Sequence, residues 1–414
     1  MSRHAHPPAR PVDEHLRAVT AALRDLHPPA RTVPLGEALG RVLAEDLVAP
    51  LDLQPFDNAQ MDGFAVRAAD TAGNGGRGRA ALAVVAPVPA GHLPPPLGPG
   101  EAAPVMTGAP LPPGADAVVP VEEAEPRGFP AAGATVRLPA DQPPGRFVRR
   151  VGEDVRAGTT VLPAGRRLTP ARIGLAAALG LDRLPVCGRA RALVYTTGDE
   201  LVPPGAPRGP AQVYDANAAI LRAQLEEAGV EVLAAGLVPD DPAAFAARLA
   251  ADVRTGPDLV VTSGGVSEGA YEVVRQVLGG AGQFLHVAVQ PGGPQGLARV
   301  HGVPVVCLPG NPVSTLVSFE LFLRPALTAV LGSPAPRARR TAPLAEPVRP
   351  LPGRTQVRRA VLEAGAVRMA GGPGSHLLAA AARADALAVL PPGADELPAG
   401  TPVEVLVLDP PEGG

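Results

Sequence analysis

Apolar positions at three- and four-residue steps, Leu16, Val19, Ala22, Leu23 and Leu26, predict one helical face over residues 12–26. A second helix is predicted over residues 35–47. From residue 51 to 149 the pattern breaks into short apolar pieces separated by Pro and Gly, such as 81–88 and 115–121, which predicts a small β-rich module. Thr169-Pro170 then supplies an N-cap and a Pro at the first helical position, opening a helix that ends near Gly180. The β module therefore reads as an insertion between two helical parts.

From residue 191 to about 332 strands and helices alternate. Strands are expected at 192–195, 230–235, 258–262 and 305–308, with helices near 217–228, from Pro242, near 271–278 and over 313–331. Such alternation implies βαβ crossovers and a mostly parallel sheet covered on both faces. Beyond a Pro- and Arg-rich linker at 333–349, short strands at 357–362, 386–390 and 403–408 predict a small β-barrel or sandwich. The expected division is thus residues 1–50 with 150–187 as an N-terminal helical linker domain, 51–149 as the inserted module, 188–332 as the α/β domain and 333–414 as the C-terminal β-barrel.

The length of 414 residues is ample for several cores, and 46% hydrophobic content argues for a folded chain despite 48 Gly and 53 Pro. Thirty-seven basic against 40 acidic residues leave a net charge of -3, with no dense basic block, so nucleic acid is not an expected partner. All the basic residues are Arg, because the chain contains no lysine. Cys187 and Cys307 lie far apart with no CxxC spacing, which excludes a zinc knuckle. The polar, Pro-rich start and the lack of 18 consecutive strongly apolar residues give a reduced, cytoplasmic protein, with no membrane partner, as the expectation.

In a doubly wound sheet, ligands bind outside the carboxyl ends of the strands, so the loops after the strands come first. They read Thr196-Thr197-Gly198-Asp199-Glu200, Pro239-Asp240-Asp241, Ser263-Gly264-Gly265-Val266-Ser267-Glu268-Gly269 and Pro309-Gly310-Asn311-Pro312-Val313-Ser314. The Gly/Ser loop can present backbone N–H groups and hydroxyls to a phosphate, though a plain strand-to-helix turn needs the same glycines. It lacks the Lys of a Walker loop and the spacing of a dinucleotide fold. Glu200, Asp240, Asp241 and Glu272 can bind a hard cation such as Mg²⁺, or serve as helix caps and solvated charges, and Asp241-Pro242 is a strong helix start by itself. Near residues 56–66 and 149–154, polar groups adjoin apolar ones without forming a recognisable catalytic triad.

Seven segments occur in order: Pro55-Phe56-Asp57-Asn58 with Met61-Asp62-Gly63-Phe64-Ala65-Val66, Met106-Thr107-Gly108-Ala109-Pro110, Gly152-Glu153-Asp154, Thr197-Gly198-Asp199-Glu200-Leu201, Ser263 to Ser267, Leu308 to Ser314, and Gly374-Ser375-His376. Together they resemble the molybdopterin molybdenumtransferase family, called MoeA in bacteria and represented by the E-domain of gephyrin in animals. The resemblance covers about residues 12 to 408. It implies an α/β multidomain fold: a βαβ molybdopterin-binding-like domain with an inserted β-rich module, an N-terminal helical part and a C-terminal small β-barrel, in an elongated homodimer.

The reaction it implies takes adenylylated molybdopterin and molybdate, cleaves the adenylate with Mg²⁺ assisting, releases AMP and leaves molybdenum on the dithiolene. The resemblance also implies the molybdopterin adenylyltransferase as a partner. Carried over to matching positions, Asp62, Thr107 and Asp154 would sit near molybdate and metal, supplied across the dimer interface. Glu200, Asp240 and Glu272 would hold the cation, and Ser263, Gly264, Gly265 and Ser267 would form the pterin and phosphate loop. Pro309, Gly310, Asn311 and Pro312 would shape the pocket wall, and Arg354 matches a basic residue of the C-terminal module. Asp62, Asp154, Glu200 and Asp240 would be catalytic.

Three positions depart from the family pattern. Glu272 stands where an Asp is usual, Gly293 stands where the family carries a Lys between Gly and Pro, and Ala379 to Ala381 follow Leu378 where a Ser is common. Two further readings fit parts of the pattern: a non-catalytic molybdopterin-binding or scaffold paralogue, which the missing Lys permits, and the adenylyltransferase itself, which the extra modules and residues 61–66 disfavour.

Overall fold

The structure is a computed structural model that describes residues 8–73, 78–89, 91–267, 272–332, 336–393 and 395–409. At its centre lies a six-stranded sheet whose strands run, in spatial order, Glu231–Val238, Arg191–Thr197, Leu259–Ser263, Val303–Leu308, Pro294–Val300 and Gly282–His286. The first four are parallel, Pro294–Val300 runs antiparallel to both of its neighbours, and Gly282–His286 again points the same way as the first four. The antiparallel edge pair has no counterpart among the elements expected from the sequence, because Gly and Pro within and around residues 282–300 obscure its alternation.

Period-two alternation sends Ala192 and Val194 to one face and Leu193 and Tyr195 to the other. On the first face pack the helices Val12–Leu23, Asn217–Glu227 and the long helix Pro312–Leu331. The second face is covered by Pro242–Val253, whose N-terminus is capped by Asp241 accepting from Ala244 N at 2.6 Å, and by Val273–Leu278. Tyr271, placed in that last helix by sequence, lies outside the described residues. The 20-residue helix Pro312–Leu331 is long and apolar enough to cross a membrane, but Phe319, Phe322, Leu323, Ala326 and Leu327 are buried in this core. It includes a π turn at Phe319–Leu323, just ahead of Pro325, which has no N–H to continue the regular ladder.

Residues 35–47 are not a helix. Leu35–Glu37 forms one 3₁₀ turn, Val42 bridges Arg167, Leu43 bridges Val186, and Leu47–Val48 pairs with Thr160–Leu162. Gly40, at φ +73°, turns the chain, and Val33, Leu43 and Leu47 are buried against Leu168, Leu184 and Val186. Pairing with a segment more than a hundred residues away overrides the local apolar spacing. Since Arg31–Pro34 pairs with Arg183–Val186 as well, the chain leaves this linker and returns to it, with the β module between. The N-terminal part is thus less helical than expected. Its helix Val12–Leu23 packs on the α/β core, with Val19 and Leu23 beside Phe322 and Leu327.

The inserted module is a five-stranded sheet ordered Ala117–Pro120, Gly63–Val66, Glu101–Val105, Arg79–Val84, Thr135–Pro139. At the C-terminal end, Arg339–Pro343, Pro402–Val407, Ala386–Leu390, Thr355–Glu363 and Ala366–Met369 follow one another in space. The bridge from Leu344 to Val367, with Ala345 N donating to Val367 O at 2.9 Å, closes them into a barrel.

His15, 1% exposed, sets its ring edge-on to Phe322 at 4.7 Å, and its Nδ1 finds no partner. Burial first, then the charge of Arg10, lowers its pKa to about 4. The unfolded chain therefore binds a proton that the folded chain refuses between pH 6.5 and 4, so stability falls as pH drops through that window. We expect His15→Leu to flatten this loss, about 3 kcal/mol at most, in urea melts at pH 4 and pH 7. An unchanged slope would assign the acid sensitivity elsewhere.

Candidate functional site

Four parallel strands end at one rim of the sheet, and their loops enclose a cavity of about 550 Å³. The rim is packed backbone on backbone. At Gly264, φ +96°, a Cβ would sit 2.8 Å from Thr197 O, and one on Gly310 would sit 3.2 Å from Gly264 Cα. Glycine is required at 264 by close approach and positive φ, and a side chain at 310 would push Gly264 back by a few tenths of an ångström, so small residues let the loops after Arg191–Thr197, Leu259–Ser263 and Val303–Leu308 meet.

Hydroxyls lock that meeting from below. Ser263 Oγ donates to Pro309 O at 3.0 Å, Thr315 Oγ1 donates to the same oxygen at 2.7 Å, and Asn217 Nδ2 donates to Gly310 O at 2.6 Å. Asp215 ties two elements together, accepting from Thr196 Oγ1 at 2.6 Å and from the N–H groups of Asn217 and Ala218 at 3.0 and 3.1 Å. This Asp caps the helix that follows it. Sequence reasoning missed its part in the site, although Asp-x-Asn ahead of an apolar helix is a capping signal.

Glu200, Asp240, Glu272, Gly264, Gly265, Ser267, Pro309, Gly310 and Asn311 all line the cavity. Asp240 Oδ2 accepts from Asp199 N at 3.2 Å, and Ser267 Oγ donates to Glu272 Oε1. Burial raises the Asp240 pKa above the usual carboxylate range, and the charges of Asp199, Glu200 and Glu272 push the same way. These carboxylates crowd one another electrostatically. Among the described residues, however, no three His, Cys, Asp or Glu side chains converge closely enough to make a complete metal cage. The set suits a hard cation that takes one or two carboxylates and completes its shell with water and phosphate oxygens.

Other sequence-derived candidates lie elsewhere. Ser263 is 1% exposed, and its hydroxyl is spent on Pro309 and Thr315. Pro312 is the first residue of the long helix and does not line the cavity. Arg354 lies exposed in a turn of the barrel, outside the lining. Glu268 and Gly269 of the Gly/Ser loop fall outside the described residues.

Asp62 and Thr107 meet each other in the inserted module, away from this cavity. Thr107 donates to Asp62 Oδ1 from its N–H at 2.7 Å and its hydroxyl at 2.8 Å, which holds the carboxyl below the usual range. Asp154 is exposed on a neighbouring loop, next to Glu153, whose carboxylate accepts from Arg150 N at 2.8 Å.

The barrel supplies part of the cavity wall. Val289–Gln290 pairs in parallel with Thr355–Gln356, Gln356 Nε2 donates to Gln290 Oε1 at 3.0 Å, and both Gln290 and Ser375 face the cavity. Gln290 had no sequence signal, because its position depends on the docking of another domain.

Comparison with known proteins agrees with this layout. Residues 10–180 match the MoeA N-terminal region (domain I and II), residues 193–329 a probable molybdopterin binding domain, and residues 341–408 the MoeA C-terminal region (domain IV). The chain is 46% identical over 411 residues to molybdopterin molybdenumtransferase 2 of Mycobacterium tuberculosis, covering 96% of this chain and 99% of the relative. It is 40% identical to the molybdopterin molybdenumtransferase of Synechococcus elongatus, with 91% and 94% covered. The crystal structure of a molybdopterin biosynthesis MoeA protein from Pyrococcus horikosii superposes with a TM-score of 0.82 at 32% identity, covering 97% of this chain and all of that one. With the domains in the same order and nearly the full length matched, the chain belongs to the molybdopterin molybdenumtransferase family, transferases of molybdenum cofactor biosynthesis.

Proposed function

We propose that the cavity at the strand ends binds adenylylated molybdopterin and molybdate, and that this chain cleaves the adenylate with Mg²⁺ assisting, releasing AMP and leaving molybdenum on the dithiolene. The observation that carries the reading is Asp240, a half-buried carboxyl pressed by Asp199, Glu200 and Glu272 in a cavity that exposed Gly310 and Asn311 also line. Acid and the start of a helix in one cavity suit a cation and a phosphate held together.

Glu200, Asp240 and Glu272 would hold Mg²⁺, one or two of them directly and the rest through water, and the ion when bound would supply positive charge to the phosphate oxygens. Gly264, Gly265 and Ser267 would orient the pterin and phosphate from the loop. Pro309, Gly310, Asn311 and Pro312 would shape the adjoining wall, Pro312 by setting the helix start. Ser263 acts one layer deeper, keeping that wall in place through Pro309. Arg354 would contribute a positive charge from the barrel. The scaffold and adenylyltransferase readings are less favoured, because the acidic cluster is intact and the similarity to the transferases runs through every domain.

Asp62, Thr107 and Asp154 are assigned to the site of a partner subunit, near molybdate and metal. Apolar side chains on the adjoining loops support that assignment: Phe56, Met106 and Val151 are each more than 40% exposed. A homodimer, the commonest closed assembly, would cover them. A cytoplasmic location belongs to the same reading, as does the adenylyltransferase as the donor of substrate.

Asp240→Asn and Glu200→Gln should each lower Mg²⁺-dependent AMP release about a hundredfold, roughly 3 kcal/mol at the transition state. Asp240→Asn should not lower the melting temperature, since it relieves repulsion. Near-normal turnover with earlier melting would make either residue structural.

Gly293 lies between cavity residues Gly292 and Pro294, and a Cβ there would meet His286 Cδ2 at 3.3 Å, close enough to require only a small shift. Gly293→Lys should lower the molybdate needed for half-maximal AMP release. One charge 4 Å from another is worth about 4 kcal/mol at an effective dielectric of 20 before desolvation is subtracted. Unchanged half-saturation in a folded variant would show that an Arg already fills the role. Sedimentation at micromolar concentration should report a dimer, and an active monomer would remove Asp62 and Asp154 from the reaction.

A further inference from the structure

A second cavity, about 220 Å³, lies where the linker meets the α/β domain, at the opposite end of the strand Arg191–Thr197 from the loops that form the substrate cavity. Three linker segments build one wall. Val42 bridges Arg167, Cys187 N donates to Val42 O at 2.8 Å, and Gly40 N donates to Leu168 O at 2.9 Å, so Arg41, Arg167 and Arg189 come to one mouth. Gly40, at φ +73°, leaves the room that the Arg167 guanidinium occupies, since a Cβ there would lie 3.3 Å from Arg167 Nη2.

The charge here is not balanced. Two carboxylates line the cavity, Glu226 and Glu227, but Glu226 is paired with Arg222 at 3.3 Å and Glu227 with Arg324 and Arg337 at 2.5 and 2.7 Å. Among the described residues, Arg41, Arg167 and Arg189 form no ion pair. Arg41 Nη2 reaches only the Cys187 carbonyl, at 2.7 Å. Burial lowers the Arg41 pKa, the nearby charges of Arg189 and Arg31 lower it further, and Cys187 and Glu37 oppose them without reversing the direction. Three guanidiniums thus share one small cavity with two carboxylates that are each paired to arginines elsewhere, and the positive excess makes a socket for a tetrahedral anion, which planar forks bind in bidentate fashion.

We infer that the Arg41, Arg167 and Arg189 cavity is a second anion site, separate from the substrate cavity, that takes a phosphate-like tetrahedral dianion. Such a ligand would bridge the linker, through Arg41 and Arg167, to Arg189 at the entrance of the first strand of the α/β domain. The same chemistry is offered by a free oxyanion and by the phosphoryl group of a nucleotide.

Calorimetric titration of the full chain with inorganic phosphate, molybdate and AMP, each against wild type and Arg167→Gln/Arg189→Gln, tests the site. Crystals soaked in tungstate locate it by anomalous scattering. Both arginines are exposed, so the double variant should melt like wild type in the absence of anion. Expected are a tungstate peak within hydrogen-bond reach of Arg41 and at least tenfold weaker phosphate binding in the double variant. AMP weakened in parallel identifies a nucleotide phosphoryl group, and AMP unaffected identifies a free oxyanion. Phosphate binding equal in both proteins, or tungstate confined to the strand-end cavity, overturns the inference.

Discussion

One buried carboxylate governs how the domains are held. Glu320, 2% exposed in the long helix, lies 2.8 Å from Arg324 and 3.1 Å from Arg337. The two arginines share Glu227 as well, and Arg337 donates to Leu408 O at 3.0 Å in the barrel. A charge taken out of water must be fully paired, and removing one partner of such a pair typically costs about 3–5 kcal/mol. Glu320 therefore has few places to be. The long helix, the end of the helix Asn217–Glu227 and the barrel are fixed together around it.

That fixation matters for the cavity, because the barrel builds one of its walls. Gln290 and Ser375 face the cavity only while Val289–Gln290 is zipped to Thr355–Gln356. Another wall depends on Gly264, where a side chain would force the loops apart, and on the tight approach of Gly310 to it. A hydrophobic core accounts for neither wall. The ion network sets the position of one, and the absence of side chains permits the other.

Within this frame the acidic residues are held at an energetic disadvantage. Asp240 would be more comfortable neutral, given its burial and its neighbours, yet the fold keeps it beside Glu200 and Glu272. A cation held there, as proposed, would relieve that repulsion. The arginine-lined cavity at the linker presents the same situation with the sign reversed.

The sequence alone determined the alternating α/β core, the inserted module and the loops that carry the chemistry. Period-two and helical spacing are local, and the motifs from Thr197 to Ser314 are contiguous in the chain. It also determined the Asp241 cap and the strand 386–390, each fixed by adjacent residues. Tertiary structure decided the rest. Residues 35–47 became paired strands and turns because their apolar side chains found Leu184 and Val186, which no local window contains. Ser263 sank beneath the cavity it was expected to line, since its hydroxyl meets Pro309 and Thr315 from another loop. Arg354 stayed on the surface, and Gln290 entered the wall, because only the docking of the barrel sets which of its neighbours face the cavity. Local sequence specifies conformations a few residues at a time, whereas the orientation of a wall depends on contacts between segments far apart in the chain.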